Sequence, residues 1–374
     1  MLTCKRRGPA ILEMHPGTSC PLDCTFCFRQ GKGYGAARPP LDTGNVDDLL
    51  NEFLALGGRT LNISGGLEPL NRPAVVCQAL MTASRLGLNS KVYTNGVAPA
   101  LSRPRVREVL ACYANELRFS IHGITEATFW AVERPASRHT TLKTAIDNVL
   151  AVARVRPLGR GARIGVGFVV GPLNVAELMP AAEFWRDKHI DFLDIRADIN
   201  AAGTLPTSVK RALDLFCRQV EASCFAPLKV HIGDRIHGEP SFPAYCYAPY
   251  EKLVVDPFGI VWTCCRLAHP GLRPSWARMG DLSVESLATV TERVWNCLPL
   301  PHCSVCTPWE SDFNTRVCSE PSCERGRLPV PAGSWQQTSD HSLTNGGLPR
   351  YGCGRTVPAA RLPLNGRLSL AEQR

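Results

Sequence analysis

Short apolar runs alternate with stretches of helical period over the first two thirds of the chain. Runs at 10–14, 60–64, 91–94, 117–121, 164–170 and 192–196 predict strands. Between them, Val46, Leu49, Leu50, Phe53 and Leu54 recur with helical spacing behind the cap candidates Asp42 and Thr43. Leu142, Ala145, Ile146, Val149, Leu150 and Ala153 repeat the pattern, and Val209, Leu213, Phe216 and Val220 mark a later helix. Strands separated by helices predict an α/β fold with a parallel sheet and right-handed crossovers, either open or barrel-like. The pattern changes near 233–244, where a Pro-rich turn leads into a cysteine-rich segment with a predicted hairpin at 256–259. From residue 328 the chain is rich in Pro, Gly, Ser and Arg without apolar period, the composition of a disordered tail.

Composition narrows the class. With 374 residues, 44% of them hydrophobic, the chain can bury a large core. No apolar run is long enough to span a bilayer and no signal-peptide pattern stands at the start, so a cytoplasmic protein without membrane contact is expected. The formal charge is +9. The last 44 residues hold five Arg against one Asp and one Glu, so +3 of it lies in the tail. No Lys/Arg run is interleaved with aromatics, which argues against a nucleic-acid groove. The seventeen cysteines change the picture most. A disulfide scaffold would be short and loop-rich, so metal or cluster ligation is the better reading.

Cys20, Cys24 and Cys27 stand directly behind the first predicted strand. Three thiolates on one tight loop can bind three corners of a cubane cluster and leave the fourth iron open. Spacing alone also allows zinc with a fourth ligand such as His15. Glycines at 31, 33 and 35 make a poor phosphate loop, because no strand precedes them.

The C-x3-C-x2-C spacing resembles the radical S-adenosylmethionine (SAM) superfamily, whose fold is a partial (β/α)6 TIM-like barrel. Phe26 stands where that family keeps an aromatic beside the adenine. Ser64, Gly65, Gly66 and Glu68 resemble its GGE segment, which binds the methionine amino group, with Leu67 inserted before the glutamate. Tyr93, Thr94, Asn95 and Gly96 close the third predicted strand as in many members. Ser120, ahead of Ile121, His122 and Gly123, matches a ribose contact. Arg134 and Arg196 match arginines near the carboxylate or ribose, and Val170 and Asn174 match the end of the fifth strand. The resemblance spans about residues 8–200 and implies a site-open [4Fe–4S] cluster, SAM and a flavodoxin- or ferredoxin-type electron donor.

A second set follows. Twelve residues separate Cys246 from Gly259 and four separate Gly259 from Cys264, and Cys303 and Cys306 come later. Gly259 allows a turn that brings Cys246 and Cys264 together. Four such thiolates suit zinc or a fully ligated cluster. Here the pattern resembles the Twitch domain, the short form of SPASM, which implies one auxiliary [4Fe–4S] cluster on Cys246, Cys264, Cys303 and Cys306. Position 312 is Asp, which breaks the full SPASM pattern. Cys265, Cys297, Cys318 and Cys323 are possible substitutes, and Cys318 and Cys323 keep a two-cluster variant open. Cys4, Cys77, Cys112 and Cys353 read as plain thiols. The resulting division is a radical SAM core over 1–235, a Twitch/SPASM-like domain over 236–327 and the tail over 328–374.

The family implies a 5′-deoxyadenosyl radical that takes a hydrogen atom from substrate. With an auxiliary cluster as electron acceptor, oxidation of a carbinol on a small sugar or aminocyclitol, as in antibiotic assembly, is expected. Epimerisation, with Cys217 or Cys224 returning a hydrogen atom, is an alternative, and dehydration or decarboxylation are further outcomes. Maturation of a ribosomal peptide is a third reading, weighed lower because only 19 residues precede Cys20. Glu13 and His122 are expected to point toward the barrel mouth.

Overall fold

A computed structural model describes residues 8–29, 39–159, 161–188, 190–198, 205–233, 245–268, 275–301 and 306–319. The tail, the 31–35 glycines, the 234–244 turn, and Cys4, Cys303, Cys323 and Cys353 lie outside them, as does the side chain of Cys318.

The chain begins with β1 (Ile11–Met14), α1 (Thr43–Ala55), β2 (Thr60–Ile63), α2 (Pro73–Arg85), β3 (Asn89–Thr94), α3 (Pro104–Tyr113) and β4 (Glu116–Ser120). Two helices follow, α4 (Glu126–Val132) and α5 (Leu142–Arg154), then β5 (Arg163–Val170), α6 (Leu178–Asp187), β6 (Phe192–Ala197), α7 (Thr207–Glu221) and β7 (Lys229–Ile232). The cysteine-rich part contributes β8 (Tyr245–Cys246), α8 (Ala248–Glu251), β9 (Lys252–Val255), β10 (Ile260–Trp262), β11 (Arg278–Asp281), α9 (Leu287–Asn296), β12 (Leu300–Pro301) and α10 (Pro308–Ser319).

Helix ends form where the sequence provides caps. Asp42 Oδ1 accepts the Asn45 N–H at 2.9 Å while Asn45 returns the bond to the Asp42 N–H at 3.0 Å, a reciprocal box that starts α1. Val46, Leu49, Leu50 and Phe53 then form its buried stripe. The start of α9 is capped from a distance: the Glu52 carboxylate on α1 accepts the Leu287 and Ala288 N–H groups at 3.0 and 2.9 Å.

Among the described residues one sheet runs β11-β10-β9-β1-β2-β3-β4-β5-β6-β7. From β9 to β7 every pairing is parallel. Each of the six predicted strands is present, with ends moved by two residues or fewer. This is the mixed α/β, mostly parallel architecture expected of a partial TIM-like barrel. The later strands enter the same sheet, because β9 lies beside β1 with Lys252 opposite Ile11. The predicted hairpin joins β9 to β10. Asp256 accepts the Phe258 and Ile260 N–H groups and the Trp262 indole N–H, and Gly259 adopts φ +78°.

The two faces of the sheet differ. Leu61, Ile63, Val92, Leu117 and Phe119 are fully buried in the helix-packed core. Their strand neighbours Asn62, Lys91, Tyr93, Glu116, Arg118 and Ser120 are half-buried and mostly polar. By strand alternation these side chains share the opposite, inner face. A parallel sheet covered on both faces would be apolar throughout, so the inner face is built for polar contacts.

Candidate active site

The cysteine loop leaves β1 and is fixed by backbone bonds to the end of α4. Asp23 N–H is shared between the Glu133 and Arg134 carbonyls, Thr25 N–H reaches the Val132 carbonyl at 2.9 Å, and Ala136 N–H reaches the Pro21 carbonyl at 2.9 Å. Arg134 takes the left-handed φ of +46°, uncommon for a side chain with a Cβ, and so presents its carbonyl to the loop. Within the loop Cys27 N–H bonds the Cys24 carbonyl at 2.9 Å.

This turn brings the three predicted thiols together. Burial pushes Cys20 up to about 12, and the charges of Glu68 and Cys27 push the same way. Burial also pushes Cys24 well above the usual range, with Glu133, Cys27 and Cys20 adding to it. Metal-free, such thiols stay protonated. A cluster's cationic iron is what allows buried, mutually repelling sulfurs to be ionised together, so the donor set fits one. Among the described residues no three His, Cys, Asp or Glu side chains are arranged to hold a single metal ion.

The glycine segment packs directly under this loop. A Cβ on Gly66 would sit 2.2 Å from the Arg29 side chain, and one on Gly65 would meet the Leu67 carbonyl. Arg29, two residues past Cys27, is fully buried. Glu68 is occupied locally: Oε1 accepts from Leu70 N–H at 2.9 Å and Thr94 Oγ1 at 2.7 Å, and Oε2 from Asn95 N–H at 2.8 Å. Three of its roughly four acceptor positions are thereby used in joining the ends of β2 and β3. Asn95 in turn donates Nδ2 to Cys20 Sγ at 3.6 Å.

Phe26 stands edge-on to His122, with ring centroids 4.5 Å apart. Burial, helped by the Arg118 charge, lowers His122 to about 3, so the ring is neutral at physiological pH. Its Nδ1 accepts the Val169 N–H at 2.9 Å. The His122 backbone N–H donates to Glu133 Oε1 at 2.7 Å, and its backbone carbonyl accepts from Asn174 Nδ2 at 2.8 Å. His122 therefore ties β4 to β5 rather than facing open solvent. Val170 is fully buried in the core, which leaves its backbone as the part able to meet a ligand. On the inner face Asp194 pairs with Arg118 at 2.6 Å and with Arg196 at 2.8 Å. Burial, which would raise Asp194, is outweighed by the two arginines, and its carboxyl is held low.

A buried ion network was not foreseen from the sequence. Glu13 accepts from His15 Nε2 at 2.9 Å, from Ser64 Oγ at 2.8 Å and from Lys252 Nζ at 2.8 Å. Lys252 also pairs with Glu310 at 2.6 Å and lies 4.7 Å over the Trp309 ring. His15 is thus bound to Glu13. Ser64 links this network to the glycine segment.

Of the second cysteine set, Cys246, Cys264 and Cys265 lie near enough to one another for their charges to interact, and Cys303 lies outside the described residues. Cys246 pairs across β8 and β12 with Leu300, three residues ahead of Cys303. Burial pushes Cys264 well above its usual range, with Glu310, Cys265 and Cys246 contributing. Cys265 is pushed up likewise, by burial and then by Glu13 and Glu310. Cys306 is half-buried two residues ahead of α10, and Cys297 is buried. The two thiols suggested as hydrogen donors lie elsewhere: Cys217 is on α7 beside Asp214 and Glu221, and Cys224 is exposed past the helix end.

A thiol triad at the carboxyl end of a parallel strand, with a glycine turn and polar inner wall beside it, stands where α/β folds place their ligand sites, and its thiols suit a redox cluster. The family profile of the Radical SAM superfamily matches residues 14–184. Residues 14–184 are thus a radical SAM domain, of a superfamily that uses a [4Fe–4S] cluster and SAM, and a cysteine-rich C-terminal part follows it. The fold of the chain is similar to that of Streptococcus suis SuiB bound to S-adenosylmethionine, at 16% identity and TM-score 0.58, over 83% of this chain and 68% of that one. SuiB bound to precursor peptide SuiA matches at 15% identity and TM-score 0.57, over 83% and 67%. Native anSMEcpe with bound AdoMet matches at 13% identity and TM-score 0.56, over 76% and 81%. No curated protein matches in sequence. Among the described residues no helix is long and apolar enough to cross a membrane.

Proposed function

We propose that this enzyme is a two-cluster radical SAM oxidoreductase that oxidises a carbinol carbon of a small sugar or aminocyclitol-type intermediate. The observation that carries this reading is the contact between the two cysteine segments. Arg266, just after Cys264 and Cys265, lies 5.5 Å over the ring of Phe28, just after Cys27. The next residue, Arg29, donates to the Ala268 carbonyl at 3.1 Å. Electron exchange between adjacent redox sites is the simplest use of that contact.

Cys20, Cys24 and Cys27 would hold the site-open cluster, and Cys246, Cys264, Cys303 and Cys306 the auxiliary one. Bound there, the first cluster and SAM supply a 5′-deoxyadenosyl radical that takes a hydrogen atom from substrate. Phe26, steadied by the neutral His122 ring, would flank the adenine. Gly65 and Gly66, which let the segment close against Leu67 and Arg29, would lie beside the methionine, and Arg134, Ser120 and Arg196 would serve its carboxylate and the ribose. Asp194 holds Arg196 at the inner wall. Oxidising a carbinol to a carbonyl removes one electron and one proton beyond the hydrogen atom. The auxiliary site is the acceptor for the electron, and the proton leaves to solvent. Arg118, Asp194 and Asn62 give the inner face donors and acceptors suited to hydroxyl and amino groups. A flavodoxin- or ferredoxin-type protein would reduce the first site.

Peptide maturation is the second reading, because the SuiB fold also occurs with precursor peptide SuiA bound. The anaerobically reconstituted, reduced enzyme should form 5′-deoxyadenosine above its substrate-free background with an aminoglycoside or aminocyclitol. No such increase refutes that substrate class. A keto product supports the dehydrogenase, whereas one solvent deuterium in an unchanged formula marks an epimerase. Iron near eight per chain supports two cubanes, near four removes the auxiliary one, and near twelve restores the full SPASM form.

A further inference from the structure

One buried amide is aimed at a sulfur of the second cysteine set. Asn314 lies on α10 with no exposed surface. Its Oδ1 accepts the Tyr247 backbone N–H at 2.6 Å. That bond settles which end of the amide is which, since only the oxygen can accept. Nδ2 therefore faces the neighbouring sulfur, Cys246 Sγ, at 3.6 Å. Sulfur is larger than oxygen, so an N–H···S bond of this length is normal. The first site shows the same device: Asn95 Oδ1 accepts the Val97 N–H at 3.0 Å, which turns Nδ2 to Cys20 Sγ at 3.6 Å. Each thiol set thus carries a donor whose direction is fixed by a backbone N–H.

We propose that Asn314 is a positioning residue that donates N–H···S to Cys246 and thereby raises the reduction potential of the auxiliary cluster. This rests on the reading that Cys246 is a ligand of that cluster. Reduction adds negative charge that spreads onto the thiolate sulfurs. A donor on one sulfur stabilises the reduced form more than the oxidised form. An acceptor for an electron from a substrate radical gains driving force in this way.

The test uses the full-length chain carrying Cys20→Ala, Cys24→Ala and Cys27→Ala, so that the second site alone contributes. After anaerobic reconstitution it should hold about four iron. Asn314→Asp keeps the acceptor for Tyr247 N–H but turns an oxygen toward the sulfur, and Asn314→Leu removes donor and acceptor together. Redox titration followed by electron paramagnetic resonance should show both midpoints lowered, the Asp variant by at least a tenfold change in the reduction equilibrium, about 59 mV. Retained iron with unchanged midpoints overturns the role of Asn314 alone. No iron in the triple-alanine chain overturns the auxiliary cluster and this role with it. If both Asn314 variants fail to take up iron, resonance Raman of the parent triple variant decides: exchange into D2O should shift its iron–sulfur stretching bands, and their constancy overturns the proposal.

Discussion

Lys252 is the most consequential single side chain outside the cysteines, and Lys252→Met tests why. The ammonium is 8% exposed and bridges Glu13 at 2.8 Å and Glu310 at 2.6 Å. Glu13 would keep the His15 and Ser64 donors after the substitution. Glu310 would not, because neither of its buried oxygens has a hydrogen-bond partner among the described residues and the Lys252 contact is an ion pair without hydrogen-bond alignment. Methionine fills much of the same volume, so the loss is electrostatic rather than a cavity. Breaking a buried pair by removing one partner costs about 3–5 kcal/mol. In a chain of this size that corresponds to a fall in Tm of roughly 5 °C or more.

The pH dependence sharpens the test. Burial would raise Glu13, but Lys252 and His15 outweigh it and hold its carboxyl below the ordinary range. Its stabilisation is present above the ordinary carboxylate range and is lost only as pH falls through the lowered value. Burial would lower Lys252, but Glu13 and Glu310 outweigh it and raise the ammonium. Its stabilisation is present below the ordinary lysine range and is lost only as pH rises through the raised value. The parent network is therefore fully charged between about pH 5 and pH 10. In Lys252→Met the buried carboxylates lose their counter-ion and take up protons more readily, so the penalty should be largest at the alkaline end and shrink as the pH falls. Urea midpoints of the anaerobic holoenzyme and the variant, taken across that window, measure it. Adding Glu13→Gln and Glu310→Gln should restore most of the loss, because a neutral network needs no counter-ion. A loss under about 1 kcal/mol at the alkaline end, or one that does not shrink toward about pH 5, refutes the reasoning.

Three further outcomes follow from the site. Gly66→Ala should force Arg29 to move and weaken SAM binding by about tenfold or more, read by equilibrium dialysis; unchanged affinity would show the close approach to be idle. His122 is neutral in the fold down to about pH 3 but charges at about pH 6.5 when unfolded, so stability should fall as the pH drops below that value. From pH 6.5 to 5 that loss is about 2 kcal/mol, and urea midpoints of His122→Gln should lack it. Asp194→Asn should leave Arg118 and Arg196 facing one another and cost about 3 kcal/mol, with lower stability in thermal melts, and Asp194→Glu should recover part of it.

Local signals were legible in the sequence and long-range pairings were not. The first six strands could be read because each is a short apolar run between helical stretches with recognisable caps, as at Asp42. β7 went unread because Lys229–Ile232 pairs on one side only and alternates exposed with half-buried residues. The three loop cysteines announced themselves by spacing. Lys252 and Glu310 did not, since Lys252 meets Glu13 across 239 residues of chain. One signal was available: a lysine opening the apolar run Lys252–Val255, like a glutamate inside Ile11–Met14, demands a buried partner. Asn314 gave none, because an asparagine within α10 looks the same whether it faces solvent or a sulfur.

The same long-range pairings determine how the cysteine sets are held. β1 leads into the Cys20 loop, and α10 follows Cys306 and carries Asn314. Glu13 on the first and Glu310 on the second meet at one ammonium from β9. Phe28 and Arg29 complete the link from the other direction by packing on Arg266 and Ala268. β9 itself supplies the backbone partners of β1, whose edge would otherwise be bare. The cysteine-rich segment is therefore part of the wall that supports the first loop. A substitution in it alters the mounting of both sites, and loss of activity alone never identifies which one has failed. Iron content and redox potential, read separately for each cysteine set, make that distinction.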